Sequence, residues 1–179
     1  MLQRISLLVI LWAVSLPTLA EQLEMIVFLN KASNWSKEEV WPAYPGELPV
    51  KSSKKLDSSN PEISIIEDSN LYLNNTYSKL KMSPNFQPIY RIGWRQAVTS
   101  SKKPLQFKFA CPDGSCSGNG VIDVQRMGGH IYKAKLDIIL SHRNLKNTSG
   151  VRLQHVAKIK SNELYYFDHP VFGVLIKIS

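Results

Sequence analysis

A chain of 179 residues has room for about one domain, and its two cysteines lack the further ligands that a closed zinc site would need. It carries 22 Lys+Arg against 14 Asp+Glu, a net charge of +8. In an exported protein, which the first residues indicate, that balance points to wall carboxylates, lipid headgroups or acidic polysaccharide. It points away from nucleic acid, for which no recognition motif is present.

Met1-Leu-Gln-Arg4 makes a short positive start, Ile5 to Leu16 is an almost unbroken apolar run, and Pro17-Thr-Leu-Ala20 ends on a small residue. This is the pattern of a secretory signal over residues 1–20, cleaved after Ala20, with an apolar run too short to span a bilayer. Cleavage removes only Arg4 among the charged residues and leaves 21 cations against 14 acids, or +7. No cysteine follows the run for acylation, and no second long apolar stretch supplies a transmembrane anchor. Residues 21–179 are therefore expected to be a single soluble exported domain.

Leu23 to Leu29 reads as the first strand. Its run Met-Ile-Val-Phe-Leu is too continuous for a strand with one wet face and predicts a central position covered on both sides. Residues 36–67 break the pattern. Trp35 to Val40 is compatible with a helical turn, prolines at 42, 45 and 49 impose irregular or extended backbone, and the serine- and lysine-rich Lys51 to Asn60 reads as a mobile loop. Ser69 to Met82 is the one convincing longer helix, with Leu73, Tyr77 and Leu80 on one face, Ser69 or Asn70 as cap and Pro84 beyond its end.

The remainder alternates as strands. Tyr90, Ile92, Trp94 and Val98 oppose Arg91 and Arg95 over Pro88 to Val98; Leu105, Phe107 and Phe109 share a face on the next strand. Cys111 and Cys116 flank Pro-Asp-Gly-Ser, a turn that brings the thiols together, and in an oxidising compartment this predicts a disulfide. Gly120 to Arg126 and Ile131 to Leu140 flank a hairpin turn at Met127-Gly-Gly-His130. In the second of these strands Lys133 and Lys135 face away from Tyr132, Ala134 and Leu136. In Val151 to Lys160 the cations Arg152, Lys158 and Lys160 oppose Val151, Leu153, Ala157 and Ile159. The last strand runs from Phe172 to the end. Strands in series with one good helix predict an α+β fold, mainly antiparallel sheet with that longer helix packed on one face.

The cations segregate to the polar phase of their strands. If those strands are neighbours, Arg91, Arg95, Lys133, Lys135, Arg152 and Lys158 form a basic plate suited to carboxylates, although any antiparallel sheet with a wet face carries such residues. Trp41 and Tyr44, in the proline-rich segment, are the candidate surface aromatics for stacking on sugar rings. Trp94 shares its phase with core residues, and Gln96 either pairs internally or marks a cleft edge. His155, on an apolar strand face, reads as a hydrogen-bonded core residue. No nucleophile elbow and no metal-ligand spacing is present, and no cofactor is implied. Glu163 and Asp168 are the acid pair that a glycan hydrolase would need, subject to their separation.

Glu163-Leu-Tyr-Tyr-Phe-Asp168-His169-Pro170-Val-Phe-Gly-Val-Leu resembles the C-terminal motif of the CsiV family, exported proteobacterial proteins described as peptidoglycan-binding. Glu24-Met-Ile-Val-Phe28 and Trp94-Arg95-Gln96 agree with it; Ala97 and Tyr165 stand where that family tends to show proline and histidine. The resemblance implies a non-catalytic periplasmic protein of the Gram-negative envelope that supports cell-wall synthesis and cell shape. Its implied partners are peptidoglycan and an outer-membrane lipoprotein activator of a penicillin-binding protein. An envelope protein-interaction module that does not touch glycan is the alternative.

Overall fold

The computed structural model describes residues 20–32, 35, 41–99 and 102–179. The proposed signal segment, apart from Ala20, and the helical turn expected at Trp35 to Val40, apart from Trp35, lie outside them. The described residues form ten strands: β1 (Glu21–Asn30), β2 (Lys54–Lys55), β3 (Ser64–Ile65), β4 (Phe86–Gln96), β5 (Leu105–Ala110), β6 (Cys116–Gly128), β7 (Ile131–His142), β8 (Val151–Lys160), β9 (Leu164–Asp168) and β10 (Phe172–Ile178). They make two five-stranded sheets, ordered β3-β4-β1-β10-β9 and β2-β5-β6-β7-β8. Every pairing is antiparallel except the two-residue parallel contact of β2 with β5.

The continuous apolar run near the N-terminus has the consequence expected of it. β1 lies between β4 and β10, with Ile26 opposite Arg91 on one side and Leu175 on the other. Leu23, Met25, Val27 and Leu29 point into the core shared with the second sheet; Ile26 and Phe28 point the other way, into a smaller cluster with Leu73 and Leu175. The inner face of the second sheet supplies Phe107, Phe109, Ile122, Leu136, Ile138 and Leu153 to the main core. Glycines make part of that packing possible. Gly118 and Gly120 sit opposite Phe109 and Phe107 in the β5–β6 register, and a Cβ at either would lie 2.2–2.3 Å from the facing ring.

The longer helix expected over Ser69 to Met82 is not found. A 3-10 turn spans Asp68–Asn70, Leu71 is extended, and α1 covers Asn74–Met82, nine residues with none fully buried. Two features break the helix. Leu71 reaches over Gly93, where an added Cβ would meet its Cδ2 at 2.2 Å, so its backbone follows the sheet. Neither Ser69 nor Asn70 caps α1: Leu73 holds the cap position without a side-chain cap bond, and the chain just before the helix is tied to β1 instead. The buried Glu24 of β1 accepts from the main-chain N–H of Tyr72 at 2.8 Å and of Leu73 at 2.9 Å, and from Gln22 Nε2 at 2.8 Å. Tyr77 and Leu80 then lie against Ile26, Phe28 and Leu175.

Between β1 and α1 the described residues 41–67 are largely irregular, but they are held down. Leu56 is buried, its N–H donates to Gln106 O, and Asn60 Nδ2 donates to Lys55 O. Cys111 and Cys116 form a disulfide across the Pro-Asp-Gly-Ser turn. Among the described residues no helix is long and apolar enough to cross a membrane.

Two stability predictions follow from this packing. Gly120→Ala places a methyl against the Phe107 ring, which Tyr90 backs at 5.6 Å in a near-parallel stack. It should destabilise by about 1–3 kcal/mol, read as a thermal midpoint lower by several degrees, and Phe107→Leu in the same chain should recover part of the loss. Glu24→Ala removes the acceptor from one buried and one partly buried main-chain donor and should cost about 2–3 kcal/mol in urea unfolding, with faster amide exchange at Tyr72 and Leu73. An unchanged urea midpoint would mean that other groups satisfy those donors.

Candidate functional site

The two sheets present different outer faces. On the second sheet the polar phases of β7 and β8 place Lys133 directly opposite Lys158 and Lys135 opposite Val156, while Gln125 and Asp123 of β6 stand across from Lys133 and Lys135. Burial raises the Asp123 carboxyl, and the neighbouring Lys135 pulls it back towards its ordinary value. Like charges paired across strands repel, so the Lys133–Lys158 position is an electrostatic cost to the bare sheet. Ile131 and Val156, 42% and 58% exposed, lie among these lysines.

Arg91 and Arg95 are not part of this surface. β4 pairs with β1 and not with β5, which follows it in sequence, so the two arginines lie on the outer face of the first sheet. There Arg91 is consumed by local structure: it pairs with Asp68, donates to Asn74 Oδ1 at 2.8 Å and stacks 4.2 Å over the Tyr77 ring. Arg95 is exposed and donates to Gln22 Oε1 at 3.2 Å. The six cations therefore form no single plate.

Arg152 is on the second sheet but is also committed. It donates to Asp137 through Nε at 2.8 Å and Nη2 at 2.7 Å, and to the carbonyls of Pro45 and Glu47 at 3.1 and 3.2 Å. The Asp137 carboxylate raises its pKa further. Through these bonds Arg152 straps residues 42–50 across the outer face. Thr148 Oγ1 adds a bond to Pro42 O at 2.6 Å, and Ser149 N–H one to Ala43 O at 3.0 Å. Gly46 takes φ +84° at the closest point, where a Cβ would sit 2.8 Å from Arg152 Nη1; glycine meets both demands.

Strap and sheet together line a cavity of about 860 Å³. Tyr44, 62% exposed, stands on the strap side. The sheet side includes Gln106, Lys108, Asn119 and Ile139; Lys108, Asn119, Ile139 and Arg152 form one register row across β5 to β8. Lys55 and Asp57 border it from β2 and the turn after. Of these, sequence reasoning singled out only Tyr44 and Arg152. The period-two rule applied to β5 would have found Gln106 and Lys108, which point opposite to Leu105, Phe107 and Phe109. The pairing of β2 with β5, which brings Lys55 in, leaves no such signal.

Trp41 is packed and not presented. It is half-buried, stacks on the His169 ring at 5.0 Å and donates its Nε1 to Trp35 O at 3.3 Å. The remaining motif residues hold corners of the fold. Trp94 is fully buried and donates to Gln96 Oε1 at 3.1 Å, so Gln96 pairs internally. At Asp168-His169-Pro170, His169 and Phe172 exchange main-chain bonds at 3.1 Å, and Val171 N–H donates to His169 Nδ1 at 3.2 Å. Burial pushes the His169 pKa down to about 4, against the smaller upward pull of Asp168, so the ring is neutral at physiological pH. Asp168 accepts from the Tyr166 hydroxyl and Glu163 from that of Tyr165.

Glu163 and Asp168 bracket β9, so roughly 16 Å of extended strand separates them at about 3.3 Å per residue. That is wider than the spacing a glycosidase acid pair requires. His155 is exposed at the rim, 5.0 Å from the Phe167 ring, and is not the core residue that its strand phase predicts, because β8 is an edge strand. Among the described residues no three His, Cys, Asp or Glu side chains gather as metal ligands.

No curated protein and no solved structure matches the chain. A family match covers the stretch from within β6 to the C-terminus, which contains Lys133, Lys135, Arg152, Lys158 and the Glu163 to Pro170 motif but not the strap, Lys108, Asn119 or Trp94 to Gln96. The resemblance carried by the C-terminal motif thus has its counterpart in the comparison: residues 123–179 match the model of the CsiV family, described as peptidoglycan-binding protein.

Proposed function

We propose that the protein binds peptidoglycan without cleaving it, through the outer face of the second sheet. The observation that carries this reading is the cluster of Lys133, Lys135 and Lys158. All three lie within the stretch matched to a peptidoglycan-binding family, and none has an ion-pair partner among the described residues. Stem-peptide carboxylates supply the counter-charge that the Lys133–Lys158 pair lacks. In this reading residues 1–20 are a cleaved signal and the remainder is one soluble periplasmic domain that serves wall synthesis and cell shape. The wide separation of Glu163 and Asp168, each engaged by a tyrosine hydroxyl, supports binding over hydrolysis.

The family resemblance also supports contact with an outer-membrane lipoprotein that activates a penicillin-binding protein. Ile131 and Val156, exposed beside the open edge of β8, favour a protein partner on the same face.

Co-sedimentation with purified sacculi tests the reading. Lys133→Glu combined with Lys158→Glu keeps a like-charge pair across the strands, so stability should stay within about 0.5 kcal/mol of the parent. Retention on sacculi should fall about tenfold at low salt, and the difference should vanish at high salt. Unchanged retention would remove this face from the interaction, no retention of the parent would end direct wall binding, and soluble muropeptides in the supernatant would overturn the non-catalytic reading.

A further inference from the structure

We infer that the cavity beneath the 42–50 strap is a subsite for the glycan strand, taking uncharged N-acetylated amino sugars, while the carboxylate-bearing peptides of the same polymer meet the lysines of β7 and β8. This rests on the wall-binding reading and adds which part of the polymer goes where. A volume of about 860 Å³ lies in the range of cavities that hold small organic ligands. The lining is chemically mixed but electrically balanced: Lys55 and Lys108 are offset by Glu47 and Asp57. The Asp57 carboxyl is held below its ordinary range by its bonds from Ser59, and so stays charged. A balanced groove has no net attraction for a carboxylate-rich peptide. Lys133, Lys135 and Lys158, none of which makes a direct ion pair among the described residues, do.

What the groove offers is suited to sugars. Gln106 and Asn119 each present an amide with both donor and acceptor, which matches hydroxyl pairs and acetamido groups. Tyr44 supplies an exposed, rigid ring for the apolar side of a pyranose and a hydroxyl for its rim. The row Lys108, Asn119, Ile139 gives side chains spaced by the distance between strands, about 4.8 Å. A saccharide lying across the strands therefore meets a polar group, an amide and an apolar surface in turn. The site is also set before any ligand arrives. Arg152, locked by Asp137, holds the carbonyls of Pro45 and Glu47, so ordering the strap adds little to the cost of binding. Arg152 acts here as a positioning residue.

The test is a titration of the purified protein with tetra-N-acetylchitotetraose, run beside sacculus sedimentation for every variant. Tyr44→Ala and Asn119→Ala, both at exposed positions, should each weaken the tetrasaccharide at least about tenfold. Lys133→Glu with Lys158→Glu should leave it within about twofold while sacculus retention at low salt falls about tenfold. Arg152→Gln should weaken the tetrasaccharide and raise amide exchange at Tyr44 and Gly46, which a residue that merely touched sugar would not do. Tetrasaccharide affinity unchanged in both groove variants would overturn the subsite, as would no tetrasaccharide binding by a protein that still sediments with sacculi; in each case wall binding stands. Loss of both interactions in the parent protein would overturn both.

Discussion

Everything else in the molecule depends on β1 being buried on both faces. A strand with Leu23, Met25, Val27 and Leu29 on one side and Ile26 and Phe28 on the other is stable only when each side is covered, and hydrophobic burial of this kind dominates the folding balance. The second sheet covers one side. Residues 68–82, tied down by the carboxylate of Glu24, cover the other. The neighbours of β1 are distant in sequence, and Gln22 and Ser179 exchange main-chain hydrogen bonds at 2.8 Å at the far end of the β1–β10 pair. Glu21, also buried, pairs with Arg126, accepts from Tyr132 and from Val98 N–H, and so joins the first sheet to the second through ionised and neutral donors alike.

This arrangement decides where a ligand can be met. Covering β1 uses up the outer face of the first sheet: Arg91, Asp68 and Tyr77 become part of the cover, and Leu71 closes over Gly93. Among the described residues the outer face of the second sheet has no helix over it, only the strap at 42–50. Lys133, Lys135 and Lys158 therefore remain available where Arg91 does not. The same alternation of side chains produced both sets of cations; the difference in their fate comes from which sheet each strand joined.

Much of the local structure was legible because it depends on neighbouring residues. Val151 to Lys160 is a strand over its full expected length, the Pro-Asp-Gly-Ser turn closes the disulfide, and the two-sided burial of β1 follows from an apolar run without alternation. What was not legible depends on partners far away in the chain. Nothing local says that β4 pairs with β1, so whether the six cations share one surface stayed conditional on which strands are neighbours. Nothing around Ser69 and Asn70 says that a glutamate 48 residues upstream of Tyr72 ties down the main chain there, or that α1 begins only at Asn74. Asn119 was hidden for a subtler reason: the strand was expected to begin only at Gly120, and it is the rings of Phe109 and Phe107 on the neighbouring strand that account for Gly118 and Gly120 on either side of it.

The strap joins the family-matched part of the chain to a part outside the match. Arg152 and Asp137, both within residues 123–179, fix it, yet their bonds go to the carbonyl oxygens of Pro45 and Glu47. Every residue carries a carbonyl, so this attachment places no demand on the side chains of 44–47 except at Gly46, where the approach of Arg152 and the positive φ exclude a Cβ. Side chains such as Tyr44 are thereby released from holding the strap and can be set by what enters the cavity beneath it. A rigid sheet that grips only backbone is a physical means of keeping the position of a binding loop constant while leaving its chemistry open.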